Sequence, residues 1–83
     1  MNLYLLTQNE VGGYDTYDSC VVAAETEEEA KKIHPSDYVR NNAYDWGKDG
    51  TWASSPESVS ADLIGIAAEG TETGVILASF NAG

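Results

Sequence analysis

Apolar residues of both parities open the chain: Leu3 and Leu5 alternate with Tyr4 and Leu6 within residues 1–8. That spacing predicts a β-strand, and apolar positions on both sides lead us to expect cover on both faces. Asn9, Glu10, Val11, Gly12 and Gly13 follow as a turn signal, the glycines being free to take positive φ. Residues 14–24 predict a second strand, polar at its start and apolar through Cys20, Val21, Val22, Ala23 and Ala24. Two strands joined in this way predict a hairpin with a long acidic loop.

The period then changes. Thr26 followed by Glu27, Glu28 and Glu29 is a helix start. The Thr26 hydroxyl can accept from the third helical amide, and Glu29 sits where its carboxylate can reach back to the cap. Lys31 and Lys32 suit the negative end of the helix dipole, and Ala30 and Ile33 face inward at i, i+3 spacing. Pro35 disfavours helical geometry at His34, so a helix of about two turns is expected, with His34 capping its C-terminus as a cation.

Residues 36–56 are irregular and hold both tryptophans, Trp46 and Trp52. A helical turn over 39–46 or a short hairpin about Asp49 and Gly50 is expected there, with the tryptophans as a lid on the core edge. Residues 58–69 alternate again. Ser60, Asp62, Ile64 and Ile66 are assigned to one face, and Val59, Ala61, Leu63 and Gly65 to the other. A loop with glycine at both ends, Gly70 to Gly74, leads into a last strand over 74–80, with Val75 and Leu77 opposite Ile76 and Phe80. The expected architecture is α+β: a mainly antiparallel four-stranded sheet, hairpins at both ends, one short helix on one face (β-β-α-β-β) and an irregular insert after the helix. Residues 1–83 make one domain.

Charge sharpens this picture. The net charge is −10, from 14 Asp and Glu against 4 Lys and Arg. The basic residues are Lys31, Lys32, Arg40 and Lys48. Such a chain is repelled by nucleic acid and by anionic membranes over a Debye length of about 8 Å, and it lacks the clustered cations that phosphate binding needs. A basic protein surface is the natural partner. No signal sequence and no apolar run of about 18 residues is present, which makes the cytoplasm the expected location.

Candidate chemistry is sparse. The one cysteine, Cys20, excludes an internal disulfide and reads as a small buried hydrophobe. His34 is the one histidine, and no carboxylates recur around it at a ligand spacing. Asp15 and Asp18 fall on opposite faces of a strand, which argues against a paired acid–base site. Residues 45–50 lack the alternating ligands of a calcium loop, and Gly12 and Gly13 lack the rest of a phosphate loop. No catalysis, metal or cofactor is expected.

The carboxylates remain. Glu10, Asp15 and Asp18 surround the first hairpin, Glu25, Glu27, Glu28 and Glu29 crowd the helix start, and Asp45 and Asp49 follow in the insert. Ordinary surfaces intersperse both signs. We take these residues as candidate partner-binding groups, with Tyr14, Tyr17 and Trp46 as aromatic anchors.

Several segments carry a resemblance: residues 1–8 (MNLYLLTQ), 14–19 (YDTYDS), 21–30 (VVAAETEEEA), His34-Pro35, and the ending 74–83 (GVILASFNAG). Together these resemble a group of small uncharacterised acidic proteins encoded by bacteriophages and prophages. The resemblance spans most of the chain and brings no catalytic motif. It carries no assigned activity and implies a phage origin. Small acidic phage proteins as a class are often inhibitors of host defence, such as anti-CRISPR proteins. On that ground the carboxylates are expected to occupy sites meant for nucleic acid on a CRISPR effector or another nucleic-acid-binding protein. The alternative is a non-catalytic accessory module of a phage assembly, or a small dimer, joined through an edge strand such as 74–80.

Overall fold

The computed structural model describes residues 1–36, 46 and 50–82. Its elements run β1 (Asn2–Thr7), β2 (Thr16–Ala24), α1 (Glu27–Lys31), a single 3₁₀ turn (Pro56–Ser58), β3 (Ser60–Ile66) and β4 (Gly74–Asn81). The four strands form one antiparallel sheet in the order β3-β1-β2-β4. The α+β class and the β-β-α-β-β order agree with the sequence pattern.

The central hairpin is built as expected. Leu6 pairs with Cys20, Leu5 with Val21 and Tyr4 with Val22. Its loop is organised by the Gln8 side chain, which accepts from the amides of Glu10 and Val11 at 2.8 and 3.0 Å and donates to the carbonyls of Val11 and Tyr17. Gly13 (φ +87°) and Asp15 (φ +61°) take left-handed conformations that close the loop. Consequently β2 begins at Thr16, and Asp15 belongs to the loop rather than the strand.

The second hairpin does not exist. β3 and β4 lie on opposite edges of the sheet, so residues 67–73 cross from one edge to the other past the start of β1. The Ala67 amide donates to the Met1 carbonyl at 2.9 Å along this crossing. A glycine-bracketed loop between two alternating strands has the local chemistry of a hairpin. Each strand instead pairs with a strand of the central hairpin, β3 with β1 and β4 with β2.

Alternation is also broken on both edges. Leu3 pairs with Gly65 and Tyr4 with Leu63, leaving Ile64 as an extra residue. Asp62 therefore shares a face with Leu5, while Ile66 lies across from Asn2 on the Tyr4 side, contrary to the even alternation expected. In β4 the shift falls at Ile76: Val75 pairs with Val22 and Leu77 with Val21, so these two residues do not share a face either.

One face of the sheet carries the core. Tyr4, Leu6, Cys20, Val22 and Ala24 are buried there with Ala30 of α1 and with Trp52, Ala53 and Val59. Trp52 is 1% exposed, a central filler rather than a lid at the edge. Full burial of such a large apolar side chain contributes about 1.5–3 kcal/mol, which matters in a domain of this size.

The helix starts where predicted: Thr26 is the N-cap and its hydroxyl accepts from the Glu29 amide at 3.1 Å. It ends sooner, after five residues, because the Lys32 and Ile33 amides fold back onto the Glu29 and Ala30 carbonyls in a tighter turn. His34 is not the exposed cationic cap that the sequence suggests. Its ring is buried, Nδ1 accepts from the Ser36 amide at 2.9 Å, and the ring meets Trp46 edge-on at 5.1 Å. The expectations for 39–46 and for Asp49 lie outside the described residues, apart from Trp46.

Candidate functional site

Of the described acidic residues assigned to partner binding, Glu10 and Asp15 precede β2, Asp18 lies within it, and Glu25, Glu27, Glu28 and Glu29 follow it. β2 runs from Thr16 to Ala24, eight steps of about 3.3 Å, so it holds the two ends about 26 Å apart. Glu10, Tyr14 and Asp15 lie beyond its start, and Glu25, Glu27, Glu28 and Glu29 follow its end. Asp15 and Glu25, which flank β2, therefore lie at opposite ends of the strand, whereas Glu10 folds back onto Ser54, close to the Pro56–Ser58 turn.

At the hairpin end the side chains differ in freedom. Tyr14 is 75% exposed, and Asp15 and Asp18 are exposed, Asp18 at a shift in the β2–β4 register. Tyr17 is half-buried against the core and packs edge-on against Phe80 at 4.8 Å. Glu10 is engaged within the chain. Its carboxylate accepts from the Ser54 amide at 2.7 Å and from the Ser54 hydroxyl at 2.9 Å. The amide first and the hydroxyl second hold the Glu10 carboxyl below its usual 4.5. Glu10 thus ties the hairpin loop to the segment carrying Trp52 and Ala53.

At the helix end Glu25, Glu27 and Glu28 are exposed and Glu29 is half-buried. Their sign suits the helix N-terminus, so part of this acidity has a structural cause. The same end holds the cations that the structure describes. Glu28, Lys31, Lys32, Pro56 and Glu57 line a shallow depression. Glu57 titrates below the usual range, chiefly through its own backbone amide and the Ser55 side chain, with Lys31 and Lys32 adding attraction. Trp46 is half-buried against His34 and the core, and Asp45 and Asp49 lie outside the described residues. Cys20 is buried on the core face. Among the described residues no group of three or more His, Cys, Asp or Glu is placed to hold a metal ion, and no helix is long and apolar enough to cross a membrane.

A third surface went unassigned in the sequence. On the face of the sheet away from the core, Leu3 and Leu5 of β1 adjoin Ala23 and Val21 of β2, and Val21 adjoins Leu77 of β4. Leu77 is 69% exposed, and Leu3, Leu5 and Val21 are half-buried without joining the core cluster. Asp62 stands beside Leu5 on this face. Among the described residues, the core cluster covers β1 on the Tyr4 and Leu6 side, while on the other side Ala23 is buried and Leu77 is the most exposed residue of the run. The signal was present: apolar residues of both parities in the first strand, with one short helix in the pattern to cover them. Among the described residues, α1 lies on the core face. Comparison with protein-family models, with curated proteins and with solved structures gives no match to this chain.

Proposed function

We propose that this protein is a non-enzymatic inhibitor that binds a basic, nucleic-acid-handling protein of a bacterial host, such as a CRISPR effector, and acts in the host cytoplasm. The observation that carries this reading is the placement of charge. The strands contain Asp18 and Asp62 and no Lys or Arg, and both ends of β2 terminate in carboxylates. Two acidic ends about 26 Å apart match the rise of about eight steps of duplex at 3.4 Å each, so one molecule can reach several phosphate sites of a nucleic-acid channel. The resemblance to phage-encoded acidic proteins supports the same reading.

The test is competition. The purified protein is expected to displace a labelled duplex from its captured partner, with affinity falling steeply between about 50 and 300 mM salt. Displacement indifferent to salt would rule out carboxylate mimicry. A second reading, an accessory module that self-associates, is favoured by β4: it is an edge strand without charge, and Ile76 and Leu77 are exposed on it. A stable dimer in sedimentation equilibrium, lost on placing proline within β4, would favour that reading.

A further inference from the structure

We infer that the open face of the sheet is a docking surface for a cationic amphipathic helix of a partner protein. The inference rests on the reading of a basic partner and names the surface that meets its apolar part. Leu3, Leu5, Val21 and Leu77 form a continuous run across β1, β2 and β4, because each is directly paired or two residues from the next on the same face. Among the described residues, Ala30, Trp52 and Val59 of the core cluster lie on the other face, and on this run Leu77 is exposed, Leu3, Leu5 and Val21 are half-buried and the neighbouring Ala23 is buried.

Shape suits a helix. Two strand spacings of about 4.8 Å set β1 and β4 about 10 Å apart, against a helix diameter of about 10–12 Å. From Leu3 to Thr7 the platform runs about 13 Å, or roughly two and a half helical turns. Three or four apolar anchors at i, i+3, i+4 and i+7 would cover it.

Charge selects the occupant. Asp62 stands on the face beside Leu5, and Glu69 and Glu72 are exposed on the crossing loop at its end. Lys31 and Lys32 belong to the opposite side of the sheet, on and just after α1. An apolar stripe flanked by Lys or Arg satisfies both the leucines and this rim. A second copy brings another −10 and the same carboxylates to the interface, which disfavours self-docking on this face.

The probe is a synthetic leucine–lysine peptide with amphipathic helical spacing, compared with a scrambled peptide of the same composition. Both are titrated into the ¹⁵N-labelled full chain at low salt. The amphipathic peptide is expected to bind about tenfold tighter than the scrambled one, and Leu77→Lys is expected to remove about that advantage. Amide shifts should map to Leu3, Leu5, Val21 and Leu77. Equal affinities, with shifts confined to Asp15 and Glu25–Glu29, would overturn the docking surface while leaving the basic-partner reading standing. Failure of both peptides to bind would overturn both. A dimer that Leu77→Lys dissociates would assign the face to a second copy and overturn the inference. Leu77 is largely exposed, so the variant is expected to fold, and its unfolding curve checks this.

Discussion

The two faces of the sheet are made by neighbouring residues of the same strands, and they meet opposite environments. Leu6 and Val22 are fully buried, while Leu5 and Val21, one position away, remain partly in solvent. Hydrophobicity does not separate them. What separates them is the path of the chain after Ala24, where Thr26 starts α1 and Ala30 is laid onto the Tyr4 side. The segment bearing Trp52 and Ala53 is then drawn to that same side, tied by Glu10 to Ser54. One face is thereby committed to stability. The other keeps an apolar surface beside Asp62, in a chain whose net charge opposes self-association.

That contrast can be broken most strongly at Trp52. Trp52→Ala is expected to cost about 3–5 kcal/mol, enough to unfold much of so small a domain, whereas Leu77→Lys on the open face should stay within about 0.5 kcal/mol. Urea unfolding of the two variants measures the difference. A smaller effect is expected from Thr26→Ala, which removes the hydroxyl that accepts from Glu29. It should cost about 1 kcal/mol and speed amide exchange in α1 more than in β1 or β2, loosening the cover of one face only.

The smallest effect concerns Glu10, whose carboxyl is exposed and open to screening by salt. Its pKa in the folded chain is lowered, so its contribution is fully present above the unfolded value of 4.5 and is lost as pH falls through the folded value. Thermal melts from about pH 3 to 6 should show a modest loss of stability on the acid side, and Glu10→Gln should flatten that part of the curve. An unchanged curve would remove Glu10 as a tie between the hairpin loop and Ser54.

Local features were legible in the sequence, and non-local ones were not. Alternation located all four strands, and the Thr26 cap located the helix, because both signals act over a few residues. Strand order was not legible: the loop over 67–73 has the glycines of a hairpin and serves as a crossing. Ile64 and Ile76 shift the parity of each edge strand, an effect that depends on the pairing partner. His34 has the position of a helix cap, and it lies inside, its ring against Trp46, a residue twelve positions away. The acidic residues were legible one by one. The separation of Asp15 from Glu25 followed from the length of β2, and the open face followed from which side α1 chose.

The most direct test of this account is the accessibility of side-chain methyl groups in the free protein. With a neutral gadolinium chelate in solution, the methyl signals of Leu77, Leu5, Leu3 and Val21 should broaden strongly, and those of Leu6 and Val22 should be spared. Equal protection of both sets would mean that the second face is covered too, and would contradict the division of the sheet into a face for stability and a face for binding.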